Sequence, residues 1–360
     1  LTVSGNLAVA RVTPANTTAA RYTAVRMGDV VVSGSFSGSL DLDATITVKS
    51  LDVNRAAAGF TRIDWTKAFG DGGPLDPGLD LPTPKSLPIN LPKTLQLRLV
   101  GSLTGAPVTN KLLTAGDVTL TGSAEFALTR STVDVDTTGD GVADLTGATL
   151  DSIALVVDGA GLTVSGLATL TVSGNLAVAR VTPANATAAR YTAVRMGDVV
   201  VSGSFSGSLD LDATITVKAL DVNRAAAGFT RIDWTKAFGA GTTLNPGLDL
   251  PTPKSLPINL PKTLQLRLVG SLTGAPVTNK LLTAGDVTLT GSAEFALTRS
   301  TVDVDTTGDG TADLTGATLD SIALVVDGAG LTVSGLATLT VSGNLAVARV
   351  TPAKIGRAHV

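Results

Sequence analysis

The sequence predicts an all-β protein, an elongated tandem-repeat array of long, mostly antiparallel strands that is either β-solenoid-like or an extended sheet. Three observations carry this. Apolar and polar residues alternate over unusually long stretches, the mark of half-buried strands. "LTVSGNLAVARV" occupies 1–12, 170–181 and 339–350, so its starts differ by 169 residues both times. Thr/Ser-rich turns and 39 glycines punctuate the alternation, while prolines gather in one segment per repeat that can be neither central strand nor helix. The alternative is one large β-sandwich per repeat.

A fixed period is the primary signal of a repeat array. It divides the chain into β repeat unit 1 (1–169), unit 2 (170–338) and the start of unit 3 (339–353). Residues 354–360 break the pattern: Lys354-Ile355-Gly356-Arg357-Ala358-His359-Val360 replaces the expected "NTTAARYTAV". "IGRAHV" resembles one translation of a common sequencing adapter, so this tail is expected to be an artefact and is set aside. Leu1 falls inside a repeat, so the chain reads as a fragment. The units differ at seven positions: Thr17/Ala186, Ser50/Ala219, Asp71/Ala240, Gly73/Thr242, Pro74/Thr243, Asp76/Asn245 and Val142/Thr311. Four of these fall within 71–76, which predicts an exposed, tolerant loop there.

Within a unit, "GDVVVSGSFSGSLDLDATITVKSLDV" holds Phe36, Leu40, Leu42, Ala44, Ile46 and Val48 in one phase, then switches at Leu51 and Val53. A one-residue slip is what a β-bulge produces. The best short-helix candidates are 54–59 and 109–113. "FTRIDWTKAF" reads as a strand with Ile63, Trp65 and Phe69 on one side. Trp65 and Trp234, one per unit, read as packing anchors. Residues 70–93 carry the prolines and read as an extended crossover. "TLQLRLV" alternates Leu95, Leu97 and Leu99 against Gln96 and Arg98. "DVTLTGSAEFALTRSTVDVD" aligns Val118, Leu120, Ala124, Phe126 and Leu128, then slips to Val133 and Val135. Alternation through 162–178 crosses the unit boundary with no linker. Unbroken, that stretch would reach about 55 Å at ~3.3 Å per residue. A continuous array is therefore expected, each unit burying its neighbour's apolar face.

Composition excludes several functions. There is no cysteine, hence no disulfide and no thiolate site. A net charge of −3 and 3% aromatic residues disfavour nucleic acid. No apolar run approaches the ~18 residues of a membrane helix, and the aromatics are too few for the girdles of a membrane barrel. Without the tail no histidine remains for a catalytic triad. The paired carboxylates lack pocket-forming aromatics, so no enzyme is expected.

One motif carries chemistry. "DVDTTGDGVADL" spans 134–145 and "DVDTTGDGTADL" spans 303–314. Carboxylates spaced this way on a tight turn converge as hard oxygen ligands for calcium. The candidate ligands are Asp136, Thr138, Asp140 and Asp144, and in unit 2 Asp305, Thr307, Asp309 and Asp313, with Gly141 and Gly310 at the bend. The other reading is a hairpin tip built on Asp-Gly. The loops resemble the D-x-x-G-D-G-x-x-D calcium loops of dockerin-like and EF-hand modules. They depart at position 3, a threonine, and at position 12, where Gly147 replaces the bidentate glutamate.

Long, near-identical, cysteine-free, Thr/Ser/Gly/Val-rich units resemble the tandem-repeat regions of giant bacterial secreted or cell-surface, adhesin-like proteins. The resemblance implies an extracellular or cell-surface location, weak Ca2+ binding and a stalk or spacer role. The partners are then neighbouring repeats of the same chain. A surface- or glycan-binding module using the Thr/Ser face of 163–173 is the alternative.

Overall fold

The computed structural model describes residues 2–16, 19–36, 40–70, 73–106, 109–115, 117–165, 167–185, 188–205, 209–239, 241–275 and 278–353. The expected tail artefact, 354–360, lies outside them. The strands are β1 (Thr2–Val12), β2 (Tyr22–Phe36), β3 (Leu40–Ala56), β4 (Leu95–Gly105), β5 (Lys111–Ala115), β6 (Val118–Val135), β7 (Leu145–Val164) and β8 (Ala168–Thr182). They continue as β9 (Tyr191–Phe205), β10 (Leu209–Ala225), β11 (Leu264–Gly274), β12 (Lys280–Ala284), β13 (Val287–Val304), β14 (Leu314–Val333) and β15 (Ala337–Thr351).

All pair antiparallel in one elongated sheet, in the order β1-β2-β3-β4-β6-β7-β8-β9-β10-β11-β13-β14-β15. The short β5 and β12 pair beside this path, between β3 and β6 and between β10 and β13. Among the described residues no second sheet packs on the first to make a sandwich. The sheet crosses the boundary because β8 pairs with β7 of one unit and β9 of the next. Among the described residues no helix is long and apolar enough to cross a membrane.

The stretch 162–178 is not one strand. It is a hairpin, with Val164 paired to Ala168 and the Leu167 N–H donating to the Val164 carbonyl (3.0 Å). Paired residues face the same side, so a three-residue loop preserves odd and even phase. A turn of that length leaves no trace in a period-two pattern. The same holds where Phe36 pairs with Leu42.

The bulge expected before Leu51 is present: the β3–β4 register shifts between Val48 and Ser50. Between Leu128 and Val133, where a slip is expected, β6 itself does not slip, since it pairs with β7 without interruption from Ser123 to Val133; the register shift there is on its other side, where β4 has the extra residue between Leu95 and Leu97. There the apolar residues change sides while the cover does not: Leu120, Phe126 and Leu128 lie on the uncovered face, whereas Val133 and Val135, in phase with Ala127, lie under the crossover of unit 2. Gly174 marks a further bulge, where β8 comes so close to β9 that a Cβ would lie 2.9 Å from the Val199 Cα.

The covering layer is the proline-rich crossover between β3 and β4 and its repeat between β10 and β11. Each contains a 3-10 turn, Pro77–Asp80 or Pro246–Asp249, and one isolated bridge, Leu75 to Ile89 or Leu244 to Ile258. "FTRIDWTKAF" belongs to this layer as turns, not a strand. The Asp64 carboxylate accepts the Thr66 N–H and hydroxyl, which closes a turn directly after the tryptophan. Both helix candidates are also overturned. Residues 54–56 end β3, and Lys111–Ala115 is β5.

Small residues of the sheet let the crossover approach closely. Ala8, Ala10 and Ala24 face Trp65, Ile89 and Leu91; in unit 2, Ala177, Ala179 and Ala193 face Trp234, Ile258 and Leu260. Among the described residues the opposite face has no such cover. It carries half-exposed aliphatics such as Leu7, Val9, Ile46 and Ile153.

Candidate functional site at the unit junction

Each crossover is fixed by buried polar residues on one strand. The Asn54 amide donates to the Ile63 (2.9 Å) and Pro92 (3.0 Å) carbonyls, and its Oδ1 accepts the Trp65 indole N–H (3.1 Å). Asn223 repeats this with Ile232, Pro261 and Trp234. Two residues along β3, Asp52 takes Nε and Nη2 of Arg98 on one oxygen at 3.0 and 2.6 Å. Its other oxygen, buried without a hydrogen bond, lies 3.8 Å from Arg26 Nε, and Arg26 in turn donates to the Pro88 carbonyl and to Asn90. Both tryptophans are fully buried, as expected of anchors.

The aspartate loops close the β6–β7 and β13–β14 hairpins. Asp136 accepts the backbone N–H groups of Thr138 (3.0 Å), Gly139 (2.5 Å) and Gly141 (2.7 Å), and the Thr138 hydroxyl (3.3 Å). Gly139 and Gly141 have φ of 84° and 92°, a left-handed region that glycine enters without strain. Asp144 accepts the Thr137 N–H and hydroxyl (both 2.7 Å), and Asp140 accepts the Val142 N–H (2.8 Å). Unit 2 repeats the arrangement at Asp305, Asp309 and Asp313, and Thr307 again donates to the first aspartate.

Amide donors therefore converge on these carboxylates. The Gly139 N–H holds Asp136 below the usual carboxylate range, followed by the Gly141 and Thr138 donors, against an opposing effect of burial. The Thr137 hydroxyl and N–H lower Asp144 likewise. Asp134, not singled out in the sequence, accepts the Gly147 N–H (2.7 Å). Among the described residues no three His, Cys, Asp or Glu side chains come together to hold a metal ion. As folded, each loop closes on itself through these hydrogen bonds.

The first loop is also not a free tip. The Asp136 N–H donates to the carbonyl of Ala237 in unit 2 (3.0 Å), and a Cβ on Gly139 would meet Lys236. Val135 joins the Trp234 core, together with Ala148 and Leu150 of β7. Unit 2's crossover thus completes its core on unit 1.

A second contact lies further along the same crossover. Leu250, at the end of the 3-10 turn, packs on Val100, Ala127 and Ala154 of β4, β6 and β7. The Thr252 N–H and hydroxyl donate to the two oxygens of Glu125 (2.9 and 2.8 Å). The Thr129 hydroxyl donates to Asp249 (3.2 Å), and Lys49 donates to the Pro251 carbonyl (2.9 Å). This latch runs backward, from unit 2 onto unit 1. The sequence held one signal for it: Glu125 is the only glutamate in unit 1, amid many aspartates.

The tolerant loop at 71–76 needs partial correction. Residues 71 and 72 lie outside the described residues. Asp76 is a structural acceptor, taking N–H bonds from Gly78 (3.2 Å) and Leu87 (2.6 Å) and the Ser86 hydroxyl (2.7 Å). Asn245 keeps the equivalent Leu256 bond (2.7 Å), and its amide now donates to Ser255 (3.2 Å). The substitution survives because it reverses one hydrogen bond and retains another. Compared with known proteins, the chain matches no family model, no curated protein and no solved structure.

Proposed function

We propose that the chain is a stretch of structural stalk or spacer in a large bacterial extracellular or cell-surface, adhesin-like protein. The observation that carries this is β8, which belongs to the ladders of both units at once. A strand shared in this way makes each added unit lengthen one sheet, where a linker would only append a separate bead. Six strand spacings along the ladder lead from β1 to its repeat β8, so each unit adds about 29 Å across the strands at ~4.8 Å per spacing. Reach then scales with copy number, and the proposal assigns no catalytic residue. The partners it requires are neighbouring repeats.

Small-angle scattering on chains with two, three and four units tests this. The maximum dimension should grow by a constant increment of that size, allowing for sheet twist. A constant or irregular dimension refutes the spacer reading.

Calcium loading of the aspartate loops is a separate proposal taken from their resemblance to known calcium loops. The amide bonds now held by Asp136 and Asp144 do not favour it, and titration decides it.

A second reading rests on the polar rows beyond the crossover. Thr163, Thr169 and Ser204 pair in line across β7, β8 and β9, and Thr171 pairs with Ser202. Such a ladder of hydroxyls could hold a glycan. Glycan-array binding by the full chain would support that reading, and its absence across the array would remove it.

A further inference from the structure

The junction between the units has two halves, and each unit carries both. The donor half is the crossover segment Asp249–Thr252, whose counterpart in unit 1 is Asp80–Thr83. The acceptor half is Lys49, Val100, Glu125, Ala127 and Ala154, whose counterparts in unit 2 are Lys218, Val269, Glu294, Ala296 and Ala323. None of these positions is among the seven that differ. Among the described residues one donor meets an acceptor, leaving one half of each kind without its counterpart.

The unused acceptor is open. Lys218, Val269, Glu294, Ala296 and Ala323 line a depression of about 200 Å³ where unit 1 holds Leu250. The strand beside it is bare as well. Val350 of β15 is 40% exposed, whereas its counterpart in β8, Val181, is fully buried under the Trp234 turn. The unused donor matches it: Leu81 is 45% exposed and Leu250 3%.

We infer that the face formed by β10, β11, β13, β14 and β15 is a docking site for the Asp-Leu-Pro-Thr crossover of one further copy of this repeat. Leucine would fill the depression on Ala296 and Ala323. Glu294 would take the threonine N–H and hydroxyl, and Lys218 the proline carbonyl. The occupant is argued from continuity with the interface already formed, since the same residues hold the same segment one unit earlier. β15 also pairs with β14 in the register of β8 with β7, so the next unit's first strand is already in place. The array is therefore directional. Each unit is latched by the one that follows it. This inference rests on the spacer reading for its context but stands on separate contacts.

The test uses the full chain extended by a further copy of residues 170–338 inserted after Leu339's predecessor, Thr338. The chain has no cysteine, so an introduced pair is unique. Glu294→Cys is combined with cysteine in place of the inserted copy's threonine equivalent to Thr252, and treated with a short bifunctional thiol reagent. Glu125→Cys with Thr252→Cys is the control, because that contact is already formed. The linked peptide should appear at both junctions. It should be lost at the new one when the inserted copy's latch leucine is changed to aspartate, with the circular dichroism spectrum retained. A link at the control junction without one at the new junction overturns the inference. Scattering on the same extended chain separates the two ideas: growth in length without the link leaves the spacer and removes the latch, and the link without growth does the reverse.

Discussion

Leu250→Ala should destabilise the chain far more than Leu81→Ala, although the two leucines hold the same place in near-identical units. Leu250 is 3% exposed on Val100, Ala127 and Ala154 of unit 1, and Leu81 is 45% exposed. The neighbouring unit thus removes roughly two fifths of the leucine from water, worth about 0.6–1.3 kcal/mol when complete burial contributes ~1.5–3 kcal/mol. Truncation also leaves a cavity, and the two alanines beneath are too short to fill it. The total for Leu250→Ala should be about 2–3 kcal/mol, the low end for buried Leu→Ala changes, against about 1 kcal/mol or less for Leu81→Ala. Urea unfolding followed by circular dichroism measures both. Because tandem units need not unfold together, hydrogen exchange at the Trp65 and Trp234 amides, which bond Leu91 and Leu260, assigns the loss to a unit. Equal costs, or the larger cost at Leu81, would refute the latch as a source of stability.

Asn223→Ala should cost about 3 kcal/mol or more, because it strands the Ile232 and Pro261 carbonyls and the Trp234 indole N–H; a red-shifted tryptophan emission before global unfolding would accompany it, and a neutral effect would show that the crossover is held by apolar contacts alone. Asp136, Asp144, Asp305 and Asp313 are all held below the usual carboxylate range by N–H and hydroxyl donors. Their contribution is therefore present above the unfolded carboxylate pKa of about 3.9 and is lost as pH falls through the lower folded values. The melting temperature should drop on acidification below about pH 4, less steeply in a chain carrying Asp→Asn at all four, and parallel pH profiles would contradict this. On the calcium proposal, millimolar calcium should raise the melting temperature and Asp140→Ala with Asp309→Ala should abolish the rise; no rise in the unaltered chain would remove that proposal and leave the loops as turns closed by their own amides.

Much of the strand content was legible because alternation is a direct consequence of the pleat. What alternation could not mark was the position of odd-numbered turns, so Val164 and Ala168 read as one strand although they pair across a hairpin. It also misled wherever the cover is polar. On β3 the residues buried against the crossover are Asp52 and Asn54, while Leu51 and Val53 stay half-exposed on the other face. A proline-rich segment offers carbonyls in place of side chains, so the strand beneath it presents an amide and a carboxylate with its arginines. Hydrophobicity alone points the wrong way at such a surface. The aspartate loops were legible as turns, but their packing on Ala237 was not, because the partner lies about a hundred residues away in the next unit.

The junction explains why a single unit is a poor guide to the array. Within unit 1 the latch leucine, Leu81, and its matching acceptors, Val100, Ala127 and Ala154, coexist without meeting, because the crossover leans backward over the preceding unit. An isolated unit would expose both halves. The stabilisation they supply appears only when a neighbour is present, so it belongs to the interface and not to the fold of the unit. The Trp65 and Trp234 clusters are the same sequence in two states of completion. Among the described residues the second includes Val135, Ala148 and Leu150 of the unit before it, and the first is formed within unit 1 alone. The core under a crossover is therefore completed by residues of the unit before it.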